Sequence, residues 1–445
     1  MNFKNIHSIY FIGIGGIGMS ALARHFNQNG FKVSGYDKTA TSLTKQLERE
    51  GMSITYVDSI ETLQKNVDLI IYTPAIPKDH LQFNFYKNGD YNLHKRAAVL
   101  GWITNNRKGL AVAGSHGKTS TSAILNHILQ TANYKCASFL GGISLNYNTN
   151  YIKGDEYCIA EADEFDRSFH QLHPMGAIIT SVDTDHLDVY GNYDSIKEAF
   201  KQFAAQVKDT LVYNISVPRE VINPDIPTIS YGLDNTADFY PSKIEVKDGR
   251  YHYDVTHPDG VIEGIVLQGG GRHNVENTIG AMALAHSIGV DAATIKEAIS
   301  TYKGVHRRFE IHIERDDFVY IDDYAHHPRE IEVTLETARE LYQGKKLTVV
   351  FQPHLFSRTN DLKEGLAKSL NMADEVFLMD IYPAREKPIE GVTSGVIYSL
   401  LTNSKHLVPK NQVITELLED KLELLLTIGA GDIDTLVKPI IENYN

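Results

Sequence analysis

Short apolar runs recur along this chain, most of them ending in glycine or a cluster of polar residues, and stretches with helical spacing lie between them. Residues 7–12, 32–36 and 67–72 read as strands, with a helical stretch between the first two running through Phe26. Residues 110–113 begin a second series, uniformly apolar and short, as a strand buried on both faces of a parallel sheet must be. Ala123, Ile124, Leu125, Ile128, Leu129 and Ala132 follow at helical spacing, and further strands are expected at 157–160 and 177–182. The rhythm changes over 209–268. Alternating runs at 228–231, 242–246 and 251–255 are separated by Asp-Asn, Asp-Gly and Pro-Asp-Gly turns, which predicts an antiparallel insert. A helix is expected over 275–288, and a last series places strands at 318–321, 347–352, 375–379 and 424–428.

Chemistry gathers where these strands end. In a parallel sheet the carboxyl ends share one edge, and ligands bind there. After 110–113 comes Gly114-Ser115-His116-Gly117-Lys118-Thr119-Ser120. Its glycines allow a tight turn and close approach to a ligand. Lys118 supplies a cation, Thr119 a hydroxyl for Mg²⁺, and the helix N-terminus that follows favours phosphate. The motif is a shortened GxxGKT, because Val112 stands where the usual phosphate loop has its first glycine. No guanine-reading NKxD segment accompanies it, so ATP is the expected guest. Glu161-Ala-Asp163-Glu164 and Asp183-Thr-Asp185-His186-Leu-Asp188 follow the next two strands. Lys118, Thr119, Glu161 and His186 can therefore converge around Mg²⁺ and phosphate.

The first strand ends in Gly13-Ile-Gly15-Gly16-Ile-Gly18, a GxGxxG with the acidic Asp37 about 20 residues on. What such glycines detect is a pyrophosphate, and UDP-sugars carry one as NAD does. An NAD-dependent oxidoreductase would use this loop but leaves the Gly-Lys-Thr loop without a role. The segment 73–77, with Thr73 and Ala75, can line the same crevice. Gly271-Arg272-His273-Asn274 precedes the helix over 275–288, where Asn274 either caps the helix or contacts a base. The paired histidines His326 and His327 lack a third ligand at zinc-binding spacing. Residues 105–109 are polar and aperiodic, which sets a boundary near Arg107. The expected architecture is α/β in three domains. These are a Rossmann-like UDP-sugar domain over 1–107, a central P-loop-type ATPase sheet with the antiparallel insert over 108–307, and a C-terminal Rossmann-like domain over 308–445.

Bulk properties narrow the class. The chain has 445 residues and a formal net charge of −13, which argues against nonspecific binding to nucleic acid or anionic lipid. Its two cysteines, Cys136 and Cys158, form neither a disulfide framework nor a CxxC pair, so a reducing cytoplasm is expected. No run approaches the length of a membrane span, and no signal peptide is seen.

Taken together, Gly114–Ser120, Glu161-Ala-Asp-Glu164, Asp185-His-Leu-Asp188 and Gly271-Arg-His-Asn-Val-Glu-Asn277 resemble the ATP-dependent Mur ligases, three-domain enzymes of cytoplasmic peptidoglycan synthesis. The segments Gly13–Ser20, His306-Arg-Arg-Phe309, Asp322-Asp-Tyr-Ala-His-His-Pro328 and Phe351-Gln-Pro-His354 are most similar to members that add L-alanine to UDP-N-acetylmuramate. The resemblance implies that ATP phosphorylates the lactyl carboxylate and that the amine of L-alanine attacks the acyl phosphate, with release of ADP and Pi. It implies that Gly114 to Ser120, His273, Asn274, Arg308 and Asp323 hold ATP, with Arg308 at the γ-phosphate. Thr119, Glu161 and His186 would hold Mg²⁺. Gly15, Gly16, Gly18, Asp37, Thr73 and Ala75 would hold the UDP-sugar, and His327 and Arg358 the substrate carboxylates. Lys118, Glu161, His186, Arg308 and His327 would carry catalysis. Leu355 stands where many members have arginine, and Arg358 is expected to take that load. A related ligase that attaches a whole peptide to the same nucleotide sugar is the nearest alternative. A monomer or weak homodimer is expected.

Overall fold

The computed structural model describes residues 5–184, 187–384 and 386–444. The chain packs into two compact units. One comprises residues 1–242, 254–265 and 276–303, and the other 243–253, 266–275 and 304–445.

The first unit holds two sheets. One runs in the order Ser53–Thr55, Lys32–Tyr36, Ser8–Ile12, Leu69–Tyr72, Leu93–Lys95, all parallel. The other runs Thr228–Tyr231, Thr210–Asn214, Gly176–Ile179, Lys108–Ala113, Tyr157–Ala162, Cys136–Ser144, Thr149–Ile152. It is parallel except for the last pair, an antiparallel hairpin at the edge. The central strands are largely apolar, as strands of a parallel sheet covered on both faces must be; Leu110, Ala111, Val112 and Ala113 are completely buried. The two sheets are not separate bodies. Ile9, Phe11 and Phe26 from the first lie in one core with Phe139, Tyr151 and Cys158 from the second.

Polar contacts reinforce that join. Arg24, fully buried on the helix Ile17–Gln28, pairs with Glu50 at 2.8 Å and donates to Asn150 Oδ1 on the hairpin. Asn150 Nδ2 in turn donates to Ile17 O at 2.7 Å and Ser20 Oγ at 2.9 Å, in the helix's first turn.

The second unit is built on the sheet Glu310–Glu314, Val319–Asp323, Leu424–Ile428, Leu347–Phe351, Glu375–Leu378, Ser404–Leu407. Only its first strand is antiparallel. The insert is a three-stranded sheet, Tyr240–Lys247, Arg250–His257 and Gly260–Gln268, whose residues are divided between the units. Its strands are joined by two-residue turns, a length that only antiparallel neighbours permit. Asp248 and Gly249 both have positive φ, as the favoured hairpin turn requires.

Two expectations are corrected here. The antiparallel insert begins only at Tyr240: Thr228–Tyr231, expected within it, pairs in parallel with Thr210–Asn214 at the edge of the seven-stranded sheet, because alternation marks a half-buried edge strand of either kind. The helix over 275–288 begins at Gly271, so Asn274 lies inside its first turn and does not cap it. The helical apolar period starts only at Val275 because the first turn is polar; its Arg272 pairs with Glu340 at 2.9 Å.

Candidate active site

The strand Lys108–Ala113 delivers the chain into Gly114 at the sheet's carboxyl edge. Gly114 has φ +142°, and a Cβ there would lie 1.9 Å from Thr180 Oγ1. Gly117 has φ +81°, and a Cβ there would lie 2.5 Å from Asn277 Oδ1. Glycine is needed at both, for conformation and for room. The loop is tied down from the neighbouring strand end. Thr180 Oγ1 donates to His116 O at 2.5 Å, Ser181 Oγ accepts from His116 N at 3.0 Å, and Ser115 Oγ accepts from Asp183 N at 2.9 Å. Gly117 then opens the helix Lys118–Thr131 with no side chain capping it, which leaves first-turn N–H groups, Ser120 among them, for an anion.

Lys118 Nζ donates to both oxygens of Glu164, at 2.7 and 2.9 Å, and to Gly114 O at 2.5 Å. The Glu164 side chain is only 2% exposed. Burial pushes its pKa up, and Lys118 opposes that rise. On the adjacent strand, Glu161 stands in register with Val112. It accepts from Gly141 N at 2.6 Å, Thr119 Oγ1 at 3.2 Å and Ser122 Oγ at 3.2 Å. Removal from water raises the Glu161 pKa, against the pull of these donors and of Lys118. A carboxylate that tends to protonate in this setting is one that a cation would hold ionised. A hydroxyl and a carboxylate side by side form the all-oxygen donor set that a hard divalent cation prefers. His186 lies outside the described residues.

A cavity of about 290 Å³ links this edge to the first sheet's glycine loop; Gly16, Gly18, Thr73, Ala75, Arg96 and Glu161 all line it. Asp37 turns inward on that loop. Its Oδ2 accepts Gly15 N–H at 2.7 Å and its Oδ1 accepts Thr39 N–H at 3.2 Å. Arg96 was not among the residues expected from sequence. It opens the helix Arg96–Asn105 directly after the three-residue strand Leu93–Lys95, and its guanidinium reaches Asp163 at 3.5 Å. A basic residue just past a strand end was the available signal, but a strand so short carries almost no pattern.

In the second unit, adjacent arginines have opposite fates. Arg307 is buried, with φ +59°, and donates to Asp322 Oδ2 at 2.9 Å and Gly429 O at 2.5 Å. Arg308 lies over the Tyr324 ring at 5.7 Å. Asp323 accepts from Phe309 N at 2.6 Å and Ala325 N at 2.7 Å; burial pushes its pKa up to about 6, with Arg308 opposing. Glu330 Oε2 accepts the N–H groups of His326 at 3.0 Å and His327 at 3.1 Å, so His327 is the N-cap residue of the helix Pro328–Leu341. Burial lowers the His326 pKa, the Glu330 carboxylate opposes that fall, and Arg358 and Arg308 add repulsion toward the protonated form. Arg358 belongs to the helix Phe356–Leu370, entered through Leu355 at φ +69°. Arg308 and Arg358 therefore set two cations beside a His326 ring held toward its neutral form, a neighbourhood suited to anions. His273 and Asn274 occupy the first turn of the helix Gly271–Ser287.

Comparisons with known proteins place this geometry. Family models match along nearly the whole chain: the Mur ligase family catalytic domain at 8–108, the Mur ligase middle domain at 112–285, and the Mur ligase glutamate ligase domain at 307–433. The chain is 46% identical to a UDP-N-acetylmuramate–L-alanine ligase of Flavobacterium psychrophilum, covering 98% of each. It is 44% identical to that of Cytophaga hutchinsonii, covering 99% of this chain and 97% of the relative. The crystal structure of a UDP-N-acetylmuramate–alanine ligase from Thermotoga maritima superposes with a TM-score of 0.86 at 28% identity, over 98% of this chain and 99% of that one. Among the described residues no helix is long and apolar enough to cross a membrane. By sequence over nearly its full length, and by fold, the chain belongs to the Mur ligase family.

Proposed function

We propose that this protein joins L-alanine to the lactyl carboxylate of UDP-N-acetylmuramate at the expense of ATP, in the cytoplasmic synthesis of peptidoglycan precursors. The observation that carries the reading is the cavity in which Gly16 and Gly18 share walls with Glu161. A pyrophosphate held on the glycine loop would extend its sugar toward the edge where the triphosphate loop ends. The three family matches support a division into lobes near residues 107 and 307, the first for the UDP-sugar, the second for ATP and the third for the amino acid.

The reaction moves a phosphoryl group between two anions, so position and positive charge do most of the work. Lys118 leaves Glu164 for the β- and γ-phosphates, and the loop from Gly114 to Ser120 cradles them with backbone N–H groups. Arg308 is assigned to the γ-phosphate. His273 and Asn274 are assigned to adenine, and Asp323 to the ATP site through the loop it braces. His327 and Arg358 are assigned to substrate carboxylates, with Arg358 standing in for the arginine absent at Leu355. Asp37 acts on the UDP-sugar by fixing the Gly15 turn, and Arg96 is added as a cation on the same cavity. Mg²⁺ would be held by Thr119, Glu161 and His186, and there it would neutralise phosphate charge. The carboxylate of UDP-N-acetylmuramate attacks the γ-phosphorus, ADP departs, and the alanine amine displaces phosphate from the acyl carbon.

The test offers L-alanine, L-serine, glycine and a cell-wall tripeptide side by side with UDP-N-acetylmuramate and ATP, following phosphate release and product mass. Turnover with L-alanine well above the rest is expected. Preference for the tripeptide would transfer the chain to the peptide-attaching ligases, and no turnover with any acceptor would refute the reading.

A further inference from the structure

The insert carries a side-chain cluster that the ligase reaction does not use. His257 ends the strand Arg250–His257, Asp259 lies in the turn that follows, and His286 sits in the last turn of the helix Gly271–Ser287. One ligand atom from each, two imidazole nitrogens and a carboxylate oxygen, lies within 4.8 Å of the other two. His286 Nε2 stands 3.7 Å from Asp259 Oδ2, and the two imidazole centroids are 4.7 Å apart. The His286–Asp259 separation is too long for a hydrogen bond. Phe239 backs the pair, stacked on His257 at 5.4 Å and edge-on to His286 at 5.7 Å. The front is open, with the Asp259 side chain 74% exposed.

A local bond runs from the Asp259 backbone N–H to His257 Nδ1 at 3.4 Å, yet that turn contact does not explain why His286, from a different element, converges on the same point. We propose that His257, Asp259 and His286 form a binding site for a divalent transition metal of the zinc class. The donor set selects against Mg²⁺, which takes oxygen ligands, and suits Zn²⁺, Co²⁺ or Ni²⁺. Around a tetrahedral ion the three donors would draw to roughly 3.3 Å apart, a closure reached by small side-chain rotations, and water would complete the shell. The ion would staple the hairpin turn to the helix whose opposite end carries His273 and Asn274.

Full-length protein stripped with EDTA is titrated with CoCl₂, then ZnCl₂, in the absence of nucleotide. One equivalent of Co²⁺ with visible d–d absorption is expected, displaced by Zn²⁺ but not by millimolar Mg²⁺. Zn²⁺ should also raise the melting temperature by a few degrees. Asp259→Asn and His286→Gln should each lose that equivalent and the thermal shift. Asp259→Asn alters an exposed turn residue, so it should keep the wild-type circular dichroism and ligase activity, and its loss of metal then reports on the ligand itself. Wild-type protein that binds no such equivalent, or variants that bind as many as wild type, would overturn the proposal.

Discussion

Replacing Lys118 with alanine should damage catalysis and folding by separable routes. The Lys118 side chain is 17% exposed and Glu164 2%, and two contacts at 2.7 and 2.9 Å join them. Removing the cation leaves a buried carboxylate unpaired, a change that costs about 3–5 kcal/mol. Removing both charges, as in Lys118→Ala with Glu164→Gln, should recover most of that, because a neutral buried pair carries no such penalty. Activity should not follow. Losing the phosphate-binding cation should slow turnover by about 10³ or more, roughly 4 kcal/mol of barrier, in the single and double variants alike. Acidity separates them further. Burial already raises the Glu164 pKa and Lys118 holds it down, so the single variant lets it climb. A folded pKa above the unfolded one gives stability that is complete below about pH 4 and lost as pH rises through the folded value. The single variant should therefore approach the double variant's stability in acid and fall behind it above neutrality. Urea unfolding across pH, with phosphate-release kinetics, measures both. Equal stability of the two variants throughout, or activity of the double variant within tenfold of wild type, would refute the reasoning.

Gly114→Ala puts a methyl 1.9 Å from Thr180 Oγ1 at φ +142°. It should cost about 1–3 kcal/mol of stability and at least tenfold in ATP affinity; unchanged binding of a fluorescent ATP analogue would count against the loop's role. Asp37→Ala frees the Gly15 N–H and should weaken UDP-N-acetylmuramate binding by about 1 kcal/mol while sparing ATP, as calorimetry would show. The opposite pattern would reverse the two nucleotide assignments. The Asp323 pKa of about 6 lies above the unfolded value, so its stability contribution is present below about pH 4 and lost as pH rises through 6. The stability gap between wild type and Asp323→Asn should then narrow by roughly 2–3 kcal/mol from pH 4 to 7, and a pH-independent gap would contradict the burial argument.

Much of this was legible beforehand, and the reasons are local. The strands Lys32–Tyr36 and Leu424–Ile428 fall where the apolar runs put them, whereas Thr228–Tyr231, whose alternation suggested the antiparallel insert, pairs in parallel with Thr210–Asn214. The glycine-lysine loop announced itself because its chemistry and its backbone demand the same residues. The strands Cys136–Ser144 and Thr149–Ile152 were missed, since Ser138, Gly141 and Gly142 interrupt the first one's apolar run and the second, four residues at the sheet edge, mixes Thr and Asn with Tyr and Ile. Nor could order along the chain tell Glu161 from Glu164. Sequence puts both just past one strand, yet Glu161 lies within that strand and faces Thr119 while Glu164, beyond its end, neutralises Lys118. Arg307 and Arg308 differ only in backbone conformation and burial, which no spacing encodes.

The core in which Ile9, Phe11 and Phe26 lie with Phe139, Tyr151 and Cys158 bears on how these ligases can be recombined. A graft that exchanged only the first 107 residues would sever it and set mismatched aromatic surfaces together. A donor segment that also brings the hairpin through Ile152, Asn150 with it, would transplant the glycine-loop cavity along with its own foundation.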